Sequence, residues 1–199
     1  MANQRPPPPP PPSPPRNSRL VRCIAMVLIA WIILNSLIVL VTWLSVRPKK
    51  LKYSIEDGSV SGYNLSNDHL NATFHLLLLA NNPNKRISVY YDNIEVSLLY
   101  EDQTLSVNNV NPFYQPRKNV TRLNVNLEAK DVTLHGAVAT DLKMERGSGN
   151  VDLNVKLRAK IRLKVGILKI HRIFKFKCGP LAVPFSSSKE FKRVSCDVD

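Results

Sequence analysis

Residues 151–165 read Val-Asp-Leu-Asn-Val-Lys-Leu-Arg-Ala-Lys-Ile-Arg-Leu-Lys-Val. Val151, Leu153, Val155, Leu157, Ala159, Ile161, Leu163 and Val165 alternate strictly with Asp152, Asn154, Lys156, Arg158, Lys160, Arg162 and Lys164. Successive side chains of a β-strand point to opposite faces, so this period of two puts the apolar set in a core and the charged set outside. On a helix the same charges would be scattered around the axis. Lys156, Arg158, Lys160, Arg162 and Lys164 then share one face, spaced about 7 Å apart along the strand. A row of like charges repels itself. It calls for opposing acids on neighbouring strands, for counterions, or for an anionic ligand, and both the locally paired face and the anion-binding face stay open at this point.

The same device recurs downstream, where Phe174, Phe176 and Cys178 alternate with Lys175 and Lys177. Gly166 and the Lys169-Ile170-His171 region are expected to form the bend between the two strands. Upstream, Ala72, Phe74, Leu76 and Leu78 alternate within an apolar run that ends at Asn81-Asn82-Pro83-Asn84, which predicts a strand near the centre of the core. Ile87, Val89 and Tyr91 are in one phase; Ile94, Val96, Leu98 and Tyr100 are in the other. That slip at Asp92-Asn93 predicts a bulge or a break. Leu123, Val125 and Leu127 form another set, and residues 55–63 a weaker one. Residues 131–146 lack alternation and predict a short helix before Gly147-Ser148-Gly149. About seven short strands with polar turns indicate a mainly β domain of the sandwich type.

A different stretch precedes this domain. Between Arg22 and Arg47 the only ionisable side chain is the thiol of Cys23. As a helix, residues 23–46 would be about 36 Å long, enough to cross a hydrocarbon core of about 30 Å with some tilt. The apolar run is too long for a cleaved signal peptide and no small-x-small cleavage site follows it, so it reads as an uncleaved signal anchor. Residues 1–22 carry Pro6 to Pro12, Pro14 and Pro15. Such a run adopts a stiff, solvated polyproline II form, a disordered spacer or a docking strand for a groove that reads proline. Residues 47–199 form one domain, large enough to bury a core without a disulfide scaffold. Four Lys or Arg lie near each end of the span: Arg5, Arg16, Arg19 and Arg22 before it, Arg47, Lys49, Lys50 and Lys52 after it. Charge alone therefore leaves the orientation tied. A short tail ahead of a first span usually stays cytosolic, and all three N-glycosylation sequons, at Asn64, Asn71 and Asn119, follow the span. Asn119, in a loop rich in Pro and Lys, is the best placed acceptor, while Asn71 lies at a strand start. The expected arrangement is single-pass in the plasma membrane with the N-terminus cytosolic.

The chain of 199 residues carries a net charge of +13, of which +9 remains beyond the four N-terminal arginines. That basicity suits nucleic acid, lipid headgroups or acidic polysaccharide. A span that separates the domain from the cytosol removes nucleic acid from those three. There is no Gly-rich phosphate loop, no nucleophile elbow and no His or Cys set at metal spacing, so no enzyme, cofactor or metal is expected. His69, His75, His135 and His171 are scattered. Cys178 and Cys196 share the C-terminal segment. Outside the cell they can pair, closing a loop of about 18 residues for roughly 3 kcal/mol; otherwise they remain two separate thiols. Cys23 sits at the membrane edge, where S-acylation is chemically open to it.

Several motifs together carry a resemblance. They are Arg47-Pro48-Lys49 after the span; Ala80-Asn81-Asn82-Pro83-Asn84-Lys85 closing an apolar strand; Ile87-Ser88-Val89-Tyr90-Tyr91-Asp92; Asn111-Pro112-Phe113-Tyr114-Gln115-Pro116-Arg117-Lys118-Asn119-Val120-Thr121; and Cys196-Asp197-Val198. The chain resembles the plant harpin-induced-like and non-race-specific-disease-resistance-like membrane proteins, which carry a late embryogenesis abundant group-2 domain and are often labelled hydroxyproline-rich glycoproteins. The resemblance implies an immunoglobulin-like, fibronectin III-like β-sandwich, plasma-membrane residence, and a role in defence or stress signalling exercised by binding, with protein partners in that signalling. An Asn-Gly-Asp motif suggested for wall adhesion in some members is absent. The basic row is expected to meet acidic cell-wall polysaccharide or anionic lipid. A second reading makes the domain a lipid-binding or lipid-sensing sandwich at the membrane surface, with an acyl chain held between its sheets. Asn-Pro-Asn itself reads as punctuation: Pro83 ends a strand and the asparagines cap the turn.

Overall fold

The computed structural model describes residues 18–46, 49–166, 168–185 and 191–198, and the chain divides into two compact units, Met1–Arg47 and Pro48–Asp199. The proline run lies outside the described residues. Helix α1 covers Ser18–Val46, beginning five residues ahead of the expected Cys23. The segment Arg19–Val41 is long and apolar enough to cross a membrane, and its side chains are exposed throughout. Its one carboxamide is satisfied internally: Asn35 Nδ2 donates to the carbonyl of Trp31 at 2.8 Å, as a hydrocarbon solvent demands of a polar group.

The second unit is built of strands β1 (Lys52–Ser66), β2 (His69–Asn82), β3 (Ile87–Tyr100), β4 (Gln103–Val110), β5 (Phe113–Gln115), β6 (Asn119–Thr133), β7 (Asn150–Val165), β8 (Leu168–Pro184) and β9 (Val194–Val198), with helix α2 (Val138–Ser148) between β6 and β7. In β7 the alternation has its expected effect. Val151, Leu153, Val155, Leu157, Ala159 and Ile161 are buried, while Asp152, Lys156, Arg158 and Lys160 are exposed. The slip at Asp92 is a bulge: pairing with β7 shifts between Tyr91 and Asn93. The bend expected at Lys169-Ile170-His171 is instead strand. Val165 faces Leu168 directly, so β7 and β8 form a long tight hairpin, and those three residues pair with Lys164, Leu163 and Arg162. Asn67 and Asp68, both at positive φ (49° and 61°), turn β1 into β2 in the two-residue hairpin that asparagine and aspartate favour.

The strands are fewer in number by expectation than in fact, and longer. They form one hydrogen-bonded path, β4-β3-β7-β8-β9-β1-β2-β6, with β5 added to β3. The mainly β expectation is met, but the strands do not stand as two separate sheets: the two halves of one path are joined through β9, and the whole curls toward a barrel. Strands β4 and β6 approach at the open seam without a backbone ladder. There Ser106 Oγ donates to the Glu128 carbonyl (2.8 Å), Asn108 Nδ2 to that of Asn126 (2.6 Å) and Gln103 Nε2 to that of Thr133 (2.6 Å).

One core fills the interior, with Leu70, Phe74, Leu98, Leu127, Leu153 and Leu157 among its most deeply buried members. Helix α2 presses Ala139 and Leu142 into it and ends at Gly149, whose left-handed φ of 86° lets its N–H reach Glu145 and Arg146. At that end Arg146 stacks over Tyr63, and Tyr63 meets Phe185 edge-on. Leu127 is fully buried in β6 and Val120, on the same strand, is 48 % exposed. Leu127→Ala should lower unfolding free energy by about 2–5 kcal/mol in chemical denaturation, and Val120→Ala by about 0.5 kcal/mol or less.

Candidate functional site

The five cations of β7 do not stand alone. Residues directly opposite in an antiparallel pair share a face. Lys156 faces Lys177, Arg158 faces Lys175, Arg162 faces His171 and Lys164 faces Lys169. Eight Lys and Arg therefore lie on the outer face of one hairpin. The acids that meet them are few. Asp92, displaced by the bulge, forms an ion pair with Arg162; Glu95 faces Arg158 on β3; and Asp197 of β9 faces Lys177. Arg162 is thus locally paired, whereas Lys156, Lys160, Lys164, Lys169 and Lys175 form no ion pair among the described residues. Next to Arg162 on the same face are two exposed tyrosines, Tyr90 and Tyr114, with ring centroids 4.6 Å apart; the Arg162 guanidinium lies 5.5 Å from the Tyr90 centroid. Periodicity alone could not find the β8 cations or this pair as neighbours, because both depend on which strands lie side by side.

Below this face runs a buried chain of polar groups. Tyr53 OH donates to Tyr91 OH (2.9 Å), which donates to Gln115 Oε1 (3.1 Å). Gln115 Nε2 donates in turn to the carbonyls of Ala80 (2.8 Å) and Asn119 (3.2 Å) and to Thr121 Oγ1 (3.1 Å). Three strands, β2, β3 and β6, and the short β5 are tied by one glutamine. Burial pushes the Tyr91 phenol up to about 12, although its bond with Tyr53 works the other way. Burial also raises Tyr53, helped by Tyr91 beside it.

The Asn-Pro-Asn turn does what punctuation requires, since the Asn84 N–H donates to Asn82 Oδ1 (3.1 Å). It also does more. Asn82 Nδ2 donates to the carbonyls of Ile87 (2.9 Å) and Pro116 (3.0 Å). Asn84 grips the backbone of Lys49 from both sides, accepting from its N–H (2.7 Å) and donating to its carbonyl (2.9 Å). Both asparagines are buried. The spacing signalled a turn; the reach to Lys49, 35 residues away, left no mark in the sequence.

Of the sequons, Asn64 and Asn71 are exposed and Asn119 is half-buried. Asn71 Oδ1 accepts from the Asp131 N–H (3.0 Å), and Asn119 Oδ1 accepts from the Thr121 hydroxyl (3.1 Å). Cys178 and Cys196 are joined as a disulfide and face one another across β8 and β9; Cys23 is a free, exposed thiol on α1. His75 bridges Ser61 and Asn126, and His69 pairs with Asp131. No three His, Cys, Asp or Glu come together as a metal site among the described residues. At the end of the fold opposite α2 a cleft of about 280 Å³ opens between the Lys49–Leu51 segment and the β7–β8 hairpin.

Two outcomes check this geometry. Gln115→Leu leaves the Ala80 carbonyl and the Tyr91 hydroxyl without their partner, so unfolding free energy should fall by about 1–3 kcal/mol, while Gln103→Leu at the exposed seam should cost less. Because the Tyr91 phenol loses its proton only near pH 12 when folded but near 10 when unfolded, the unfolded chain binds fewer protons between those values. Stability should therefore decline as pH rises from 10 to 12, and ultraviolet titration should show buried phenols ionising late, together with unfolding.

Known proteins share this plan. The late embryogenesis abundant protein family (LEA_2) matches residues 77–179, which span β2 to β8 and so carry the basic hairpin and the Asn-Pro-Asn turn. Three Arabidopsis thaliana proteins are similar over most of their length. NDR1/HIN1-like protein 2 is 35% identical over 80% of this chain and 70% of its own. NDR1/HIN1-like protein 3 is 36% identical over 87% and 78%. NDR1/HIN1-like protein 10 is 33% identical over 87% and 81%. This chain, with its apolar anchor helix, belongs to the LEA_2 family of late embryogenesis abundant proteins and is related to the NDR1/HIN1-like proteins.

Proposed function

We propose that this single-pass membrane protein acts in plant defence or stress signalling by binding, with its β domain outside the cell and its N-terminus in the cytosol, and that the outer face of the β7–β8 hairpin is what binds. One observation supports that face above others: eight Lys and Arg share it with Asp152 of β7 and three acids on the adjoining strands. The repulsion within a surplus of like charge is reduced when a polyanion lies along it. The occupant that fits is acidic cell-wall polysaccharide. Its carboxylates would track cations about 7 Å apart along a strand, and the exposed Tyr90–Tyr114 pair offers ring faces for sugar rings. Signalling partners of protein nature would add to this contact rather than replace it.

The orientation is supported by the cysteines. A disulfide between Cys178 and Cys196 persists in an oxidising compartment and not in the cytosol. The sequons at Asn64, Asn71 and Asn119 all lie in the same unit, and Asn64 and Asn71 are open to solvent. We take the two halves as the sheets of an immunoglobulin-like sandwich, with β9 as the strand that crosses between them.

In microsomes, the domain should resist added protease and lose mass on endoglycosidase treatment; digestion of the C-terminal unit in sealed vesicles would reverse the orientation. The detergent-solubilised full chain should be retained on immobilised pectate and eluted by salt. Lys156→Glu, Lys160→Glu and Lys175→Glu together should abolish that retention while circular dichroism stays unchanged, and equal retention of the triple variant would remove the assignment.

A further inference from the structure

The cleft at the end of the domain has a lining that the basic face does not explain. Its walls are apolar: Leu51 and Ile87 on one side, Leu163, Phe174 and Phe176 on the other. Its rim carries Lys49, Lys50 and Arg172, and none of these three is in an ion pair among the described residues. Arg172 is out of place for a soluble strand. It sits opposite buried Ile161, in the inward phase of β8, where Phe174 and Phe176 precede the core. Beyond it in the same phase come Ile170 and Leu168, which are 40% and 62% exposed. The hairpin thus runs past the core and leaves an apolar inner surface that none of the described residues covers.

Charge and shape together select an occupant. An apolar wall beneath three cations matches a molecule with a negative head and a hydrocarbon tail. At about 280 Å³ the cleft has room for a headgroup-proximal stretch of chain and not for an entire lipid. Lys49 follows the end of α1 by three residues, so along the chain this is the part of the domain nearest the anchor. Juxtamembrane cations are drawn to anionic lipid surfaces. We propose that the cleft holds an anionic phospholipid of the bilayer in which α1 is anchored, with its phosphate against Lys49, Lys50 and Arg172 and the start of one acyl chain against Leu163, Phe174 and Phe176. The Asn84 clamp fixes the Lys49 backbone at the rim. This rests on the reading that α1 spans the bilayer.

The test uses the full chain in nanodiscs of phosphatidylcholine containing a trace of a phospholipid with a photoreactive acyl chain, either phosphatidylglycerol or phosphatidylcholine. Labelled peptides are mapped by mass spectrometry. The expected result is labelling of α1 with both probes and labelling of the peptides carrying Leu163 and Phe174 with the phosphatidylglycerol probe. Arg172→Glu alone, and Lys49→Glu with Lys50→Glu, should each cut the cleft labelling roughly tenfold and leave that of α1 unchanged. The Arg172 variant alters one exposed side chain, and circular dichroism monitors its fold. Labelling confined to α1 would overturn the proposal, as would equal cleft labelling by the two probes or no effect of the substitutions. An unlabelled α1 would overturn the anchoring itself, a separate and recognisable failure.

Discussion

Strand β9 makes three pairings with β1 and three with β8, and that short ladder is the backbone link between the two halves of the sheet among the described residues. Without it, β4-β3-β7-β8 and β1-β2-β6 would be separate sheets held by core packing and by the side-chain bonds of the β4–β6 seam. Five residues are few for such a task, because so short a strand contributes only a few backbone bonds on either side. The Cys178–Cys196 bond ties it to β8 at the point where β9 also meets Tyr53, so the same residue that closes the disulfide faces the first member of the buried tyrosine chain. The seam on the other side is managed differently. Ser106, Asn108 and Gln103 occupy carbonyls of β6 that would otherwise be free, which blunts an edge open to pairing with another chain.

The polar chain from Tyr53 to Gln115 complements this closure from within. Each hydroxyl and amide has a partner, so the low dielectric of the core strengthens the bonds instead of penalising unpaired groups. Gln115 belongs to a strand of only three residues, yet it reaches backbone on β2 and β6 and a side chain on β3. The two halves are therefore registered to one another by directional bonds as well as by Leu and Phe packing, which is non-directional.

Much of the fold was legible because its signals are local. The alternation of residues 151–165, the phase slip at Asp92-Asn93, the loss of period two before Gly147 and the apolar run after Arg22 are each read within one continuous stretch of chain, and each has its counterpart in β7, the β3 bulge, α2 and α1. What escaped was non-local. Lys169, Lys175 and Lys177 join the basic row only because β8 folds straight back on β7 with no bend at His171. The Asn84–Lys49 clamp spans the full length of β1 and β2. The cleft is a gap between elements, and no residue pattern encodes a gap. The joining of two expected sheets through β9 turned on five residues whose alternation is too short to read.

Strand β8 carries both surfaces of interest, one on each side of its pleat. Odd-numbered Lys169, Lys175 and Lys177 face outward with the β7 cations, while even-numbered Phe174 and Phe176 face inward toward the cleft and the core. Since the side-chain period is two, the surfaces cannot exchange members without a register slip that would bury lysines. The long pairing with β7 and the disulfide at Cys178 both oppose that slip. The outer face is thus free to accumulate positive charge against its own repulsion, because the inner face, through Leu157, Ala159, Ile161 and Phe176, supplies the apolar burial that holds the hairpin in place. The tip is the exception: there the inner phase runs out of core at Arg172, and Ile170 and Leu168 beyond it stay exposed.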